Sequence, residues 1–172
     1  KEEVVRVQHG LVPNVRNLAM WYYIGLADDH CMPGTYLYID DMLAELRKED
    51  PAGWTNIHFK TYPGLKHAFP AGEPQAGIKF LEKERRVTFP KKLVWEYASD
   101  PQPLPDASDK TARYEKRFFY WLKSREPKDR QYVVAEIKDN VITIEATGTG
   151  EGAKGITIFL NDKMIDVKKE VI

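Results

Sequence analysis

The chain has 172 residues, of which 42% are hydrophobic and 12% aromatic. That is enough for one ordinary domain or two small ones with a real core, and it argues against global disorder. Lys plus Arg number 26 and Asp plus Glu also 26, and each half of the chain is balanced to within one charge, so no nucleic-acid partner is expected. No stretch approaches the roughly 18 consecutive apolar residues of a membrane span, so no membrane partner is expected either.

In chain order, residues 1–17 give no clear element. Lys1-Glu2-Glu3-Val4 lacks the apolar segment of a signal peptide. Leu18-Ala19-Met20-Trp21-Tyr22-Tyr23-Ile24 is an unbroken apolar run of strand length, as expected of a strand covered on both faces. Gly25 ends it. Pro33-Gly34-Thr35 then opens a helix with Thr35 as candidate N-cap. Ile39, Met42, Leu43 and Leu46 share one helical face, and Asp50-Pro51-Ala52-Gly53 stops it. Asn56 to Tyr62 reads as the next strand, Pro63-Gly64 as a turn, and Glu73 to Arg86 as a second helix with Ile78 and Leu81 inward. Strand, helix, strand, turn, helix is the pattern of a βαβ unit.

The pattern changes near Val87. Lys92 to Ala98 is a strand candidate, and the proline-rich 99–112 stretch is a loop. Short strands follow at Arg117 to Lys123, Gln131 to Ile137, Val141 to Ala146, Ile156 to Leu160 and Met164 to Val167. Turns are expected at Lys138-Asp139-Asn140 and Asn161-Asp162. Gly148, Gly150, Gly152 and Gly155 make a flexible connection. The expected organisation is therefore an α/β part over 1–86 and a small antiparallel β-rich module over 87–172.

Two stretches carry candidate chemistry. Asp28 and Asp29 follow the first strand, and His67 follows the second. In open α/β sheets, ligands meet the chain beyond the carboxyl ends of the strands. A carboxylate beside an imidazole fixes its tautomer and stabilises the imidazolium formed when it takes a proton. Equally, one acid can cap a helix while His67 tips a loop. Cys31, the single cysteine, excludes an intrachain disulfide and leaves the compartment open, the periplasm and the exterior included. It could act as a nucleophile with His67. Asp28, Asp29, His30 and Cys31 could join His58 or His67 around zinc, but so short a cluster lacks the spacing that makes ligands converge; no metal or cofactor is expected.

Leu18 to Pro33, with Gly25 three residues before Asp28, resembles the acid-bearing segment of α/β hydrolases. Tyr62-Pro63-Gly64-Leu65-Lys66-His67-Ala68-Phe69 resembles their terminal histidine loop, and Val12 to Leu18 resembles the lead-in to the acid strand. The similarity is greatest to the esterase- and peptidase-like branch related to dienelactone hydrolases. Arg117-Phe118-Phe119-Tyr120-Trp121-Leu122 and Ile158 to Asp162 resemble a β-rich extension found in some bacterial members. The resemblance implies the C-terminal portion of an α/β-hydrolase sheet, with His67 as general base and Asp28 as orienting acid. Two departures stand out. Asp29 and His30 follow Asp28 and the proline waits until Pro33, which keeps Asp29 open as the alternative acid. Lys66 also stands where glycine usually precedes the histidine.

The family's nucleophile is a serine on a G-x-S-x-G elbow that precedes the acid and the histidine. Here Ser99, Ser108 and Ser124 all follow His67, and none lies between glycines. The expectation is the C-terminal fragment of a serine esterase or peptidase. It would be inactive alone and would depend on a missing N-terminal hydrolase segment to act on a small ester or peptide. The alternative is a non-catalytic, carbohydrate- or partner-binding β module on an inactive α/β scaffold, with Trp95, Tyr97, Phe118, Phe119, Tyr120 and Trp121 as a stacking platform or as core.

Overall fold

The structure, a computed structural model, describes residues 12–97, 102–103, 113–114, 117–126, 132–147 and 155–172. The proline-rich 99–112 loop (apart from residues 102–103), Ser99, Ser108 and three of the glycines between 148 and 155 lie outside the described residues. The chain divides into two compact units, Lys1–Val87 and Thr88–Ile172.

In the first unit, strand β1 (Met20–Gly25) is followed by helix α1 (Pro33–Glu49), strand β2 (Ile57–Tyr62) and helix α2 (Glu73–Lys83). β1 and β2 pair in parallel, with Met20 opposite Ile57 and Gly25 opposite Tyr62. Both strands therefore end together, which places the two following loops side by side. Alternation along β1 sends successive rings to opposite faces. Trp21 meets α2, where it lies 5.5 Å from the Phe80 ring and against Gly77. Tyr22 lies toward α1, 6.5 Å from Tyr36. α1 starts one turn earlier than Thr35 suggests: Met32 occupies the cap position, Pro33 the first turn, and no side chain caps the helix. Proline suits that position because its missing N–H would have no helical partner. Leu43 is buried at 1% exposure, at the centre of the expected apolar face.

The second helix differs from its expected orientation. It ends at Lys83, and Ile78 and Leu81 are exposed at 58% and 48%. Its buried residues are Glu73 and Gly77. Trp21 causes this rotation: its ring needs the bare Gly77 surface, and its indole N–H donates to Glu73 Oε2 at 3.0 Å. A polar contact made across 52 residues outweighs the local apolar period.

The second unit is built from short strands. β3 (Lys92–Glu96), β8 (Tyr132–Lys138) and β9 (Val141–Thr147) form an antiparallel sheet in the order β3-β8-β9. β6 (Phe118–Phe119), β7 (Leu122–Ser124) and β10 (Ile156–Ile158) form another, and β4 (Gln102–Pro103) pairs with β5 (Arg113–Tyr114). The expected strand over Arg117 to Lys123 is in fact a tight hairpin, broken by Tyr120 at φ 52°. Asp139 and Asn140 both have positive φ, 50° and 64°, as a two-residue hairpin turn requires. Met164 to Val167 is a turn rather than a strand. Asn161 makes it so, accepting the Lys163 amide on its side chain and those of Met164 and Ile165 on its carbonyl.

Leu93, Trp95, Tyr97, Phe119, Trp121, Leu122, Val133, Ala135, Ile137 and Met164 form the core of this unit. Four of the six aromatics read as a stacking platform are thus core residues; of the other two, Phe118 is exposed and rests on Phe159. Trp121 is 2% exposed, and its indole donates to the Pro90 carbonyl at 2.8 Å. Trp121→Ala is expected to cost about 3–5 kcal/mol, whereas Phe118→Ala should stay within about 0.5 kcal/mol. Urea unfolding followed by circular dichroism measures both.

The expected fold class is overturned. Among the described residues there are two α-helices and four small separate sheets, three of them antiparallel. The described residues contain no hydrolase sheet flanked by helices. β1 and β2 form a two-stranded sheet, and the next strand in the chain, β3, pairs antiparallel with β8 instead. The apolar run that suggested a strand covered on both faces is mostly half-buried: from Met20 to Tyr23 every residue is intermediate, and only Ile24 and Gly25 are buried. Its rings are covered partly by helices, Trp21 at Phe80 of α2 and Tyr22 at Tyr36 of α1, and partly by β2 and the loop after it, with Tyr22 stacked on Phe59 and Tyr23 edge-on to Tyr62 and Phe69.

Candidate functional site

The parallel register brings the loop after β1 against the loop after β2. Three backbone hydrogen bonds hold this arrangement. Leu26 N–H donates to the Tyr62 carbonyl at 2.9 Å, Ala27 to Leu65 at 3.0 Å, and Asp28 to Gly25 at 3.1 Å. Gly25 is required by space. A Cβ there would overlap the Leu65 carbonyl oxygen and come within 2.8 Å of the Lys66 carbonyl oxygen. Gly64, at φ +73°, supplies the left-handed residue that turns the second loop.

Asp28 is the centre of the site. Its side chain is only 6% exposed. Oδ1 accepts the backbone N–H groups of His30 and Cys31, each at 2.8 Å. Oδ2 lies 3.1 Å from Nδ1 of His67. The Cys31 amide, then the His30 amide and His67 itself, hold the carboxyl below its ordinary value of 3.8 against the opposing effect of burial. An ionised carboxylate accepts only, so Nδ1 of His67 donates to Asp28 and Nε2 is the ring nitrogen left outside the contact. The His67 side chain is 57% exposed, which leaves that nitrogen accessible.

The choice between the two acids is geometric. Asp28 meets His67, while the exposed Asp29 meets the exposed His30 at 2.8 Å. The His30 ring stacks on His67 with centroids 4.9 Å apart. His58 lies elsewhere, opposite Trp21 at the other end of the strands, stacked on Trp21 and edge-on to Phe80. Cys31 is half-buried, and its sulfur lies with an Asp28 oxygen and a His67 nitrogen in a group spanning no more than 4.8 Å. Ser124 is 2% exposed in the core of the second unit, beside Tyr97, and is no nucleophile there.

Two contributors escaped the sequence reading. Tyr36, in the first turns of α1, brings its hydroxyl to Cys31; burial first, then electrostatic interaction with Cys31 and Asp28, raises its phenol above the ordinary value. Glu73 closes the base of the histidine loop. Lys60 Nζ donates to Glu73 Oε1 at 2.6 Å, and Tyr62, the last residue of β2, also hydrogen-bonds the carboxylate. These bonds, Lys60 before Tyr62, hold its carboxyl below 4.5. Glu73 thereby joins the end of β2 to the start of α2, and His67 hangs from the loop between them. The acid at the first turn of a predicted helix was the one visible signal, and it reads as ordinary helix-end charge.

Comparison with known protein families, with curated proteins and with solved structures gives no match for this chain.

Proposed function

We propose that Asp28 and His67 are the acid and base of a serine-hydrolase active site that cleaves an ester or peptide bond, with the serine supplied from outside these 172 residues. The observation that carries this is the 3.1 Å contact between a side-chain-buried, ionised carboxylate and an exposed imidazole whose other nitrogen faces away from it. Asp28 holds the ring in the tautomer with a free Nε2. That nitrogen takes the proton from the serine hydroxyl as it attacks the carbonyl carbon, and returns it to the departing alcohol or amine. Asp28 stabilises the imidazolium between the two steps without itself taking the proton. The likeness of 18–33 and 62–69 to α/β-hydrolase segments is the reason for naming serine as the nucleophile. What supports the chemistry is the side-chain pair and not a sheet of that family.

The test is reconstitution. The chain alone is expected to leave p-nitrophenyl acetate intact above an imidazole control. Joined to the segment that bears the serine, it should turn the ester over, and His67→Ala should abolish that turnover. Normal rates in the His67→Ala protein would overturn the assignment.

A further inference from the structure

The acid–base pair does not use Cys31, although its sulfur lies beside both partners. Its thiol, an Asp28 carboxylate oxygen and a His67 ring nitrogen all lie within 4.8 Å of one another. The sequence alone argues against convergence, because Asp28, Asp29, His30 and Cys31 are too close together for their side chains to surround one point. The fold removes that objection in two ways. The turn after β1 wraps around the Asp28 carboxylate, which binds the His30 and Cys31 amides, so Asp28 and Cys31 face the same side. His67 then arrives from the other loop, 39 residues away.

We propose that Asp28, Cys31 and His67 form a binding site for a thiophilic divalent cation, with zinc as the preferred ion. Carboxylate, thiolate and imidazole are the three ligand types that zinc takes, and three protein ligands leave a fourth position to solvent. With bonds of about 2.0–2.3 Å, donors around a tetrahedral zinc stand about 3.3–3.8 Å apart. The widest pair therefore has to close by at most about 1.5 Å, a movement available to the exposed His67 loop. Binding expels the thiol proton to solvent as the Zn–S bond forms, and the His67 proton passes from Nδ1 to Nε2 as the Zn–N bond forms at Nδ1; no electron is transferred and no co-reactant is needed. Asp28 is oriented for the task by the two amides on its other oxygen, as ligating carboxylates usually are. Hard cations are disfavoured, since Mg²⁺ and Ca²⁺ call for oxygen ligands.

An ion there replaces the Asp28–His67 hydrogen bond, so metal binding and proton transfer by His67 exclude each other. The metal site itself does not rest on the hydrolase reading.

The test is titration of the full 172-residue chain, reduced and metal-free, with ZnSO₄ by calorimetry and with CoCl₂ by absorption. One saturable site per chain is expected, with a thiolate-to-cobalt charge-transfer band in the near ultraviolet. Cys31→Ser should remove the band. Cys31→Ser and His67→Gln should each weaken zinc by at least the roughly tenfold that disturbing an outer partner costs. Glu45→Gln, at an exposed position of α1, should leave binding unchanged. Circular dichroism of each variant checks that the fold is retained. Absence of one-site binding in the folded wild type overturns the proposal, and so does affinity unaltered in both folded Cys31→Ser and His67→Gln. The titration needs neither serine nor substrate, so its failure leaves the acid–base assignment standing, and failure of ester turnover leaves the metal site standing.

Discussion

In a protein that also carries the serine, Asp28→Asn is expected to lower kcat on an activated ester by about 10⁴-fold. The amide is nearly the same size as the carboxylate, so the loops keep their places. What changes is the sense of the contact. An amide can present its N–H₂ to Nδ1, which then accepts and leaves the proton on Nε2, the nitrogen that must be free. The negative charge that stabilises the imidazolium is lost as well. Steady-state kinetics on p-nitrophenyl acetate reads the first effect, and ¹⁵N shifts of His67 read the tautomer. A kcat within tenfold of wild type would show that Asp28 orients nothing.

The same substitution has a pH signature. The Asp28 carboxyl is lower in the folded chain than its ordinary 3.8, chiefly because of the Cys31 amide. A depressed acid stabilises the fold only while ionised. Its contribution is complete above about 3.8 and disappears as pH falls through the lower native value. The difference in stability between wild type and Asp28→Asn should therefore be flat at neutral pH and shrink only below that point. A difference that grew on acidification would contradict the assignment.

Gly25→Ala is the second large expected effect. The methyl group would overlap the Leu65 carbonyl oxygen, with the Lys66 carbonyl oxygen 2.8 Å away. Both obstacles are backbone, and the first is fixed by the Ala27 N–H bond, so neither can rotate aside. Overpacking of this kind costs about 1–3 kcal/mol. Relief comes by pushing residues 65–67 outward, which carries His67 off Asp28. A displacement of about 1 Å is enough to cost about 10²-fold in rate. Urea unfolding measures the first, and the His67 ¹⁵N shifts or ester turnover measure the second. Wild-type stability with an unshifted His67 would mean that the two loops do not need their close approach.

The local elements were legible because their signals are local. The apolar run before Gly25, the face of Ile39, Met42, Leu43 and Leu46, and the Asp139-Asn140 turn each involve residues within a few positions of one another. The Asp28–His67 pair could be nominated from the two loops because each follows a predicted strand, and the resemblance of those loops to α/β-hydrolase segments singled out Asp28. Asp28 and Asp29 are neighbours that short-range signals do not separate; in the fold it is Asp28 that contacts His67 and Asp29 that contacts His30. The sheet was misread because an apolar run reports burial without saying what does the burying. Helices on the two faces of a two-stranded sheet produce the same string of letters as helices on the two faces of a large parallel sheet. Helix α2 was misread for a related reason: Ile78 and Leu81 follow the helical period, but Glu73 is drawn inward by Trp21, Lys60 and Tyr62, partners that no window of the sequence contains.

The turn at Asp139-Asn140 gives up comfort for reach. Glycine is the residue best suited to a left-handed position, yet Asn140 holds φ 64° without it. Its side chain explains the choice. The amide donates to the Asp166 and Glu170 carbonyls, its oxygen accepts the Asp166 N–H, and its own carbonyl accepts the N–H of Ile172. Ile142 N–H then donates to Ile172. One residue thus latches the last seven residues onto the hairpin tip, so the tail and the hairpin should breathe as a single unit and fray together. Asn140→Gly would relax the backbone and remove the three side-chain bonds of the latch while keeping its backbone bonds, two opposing effects on one unfolding midpoint.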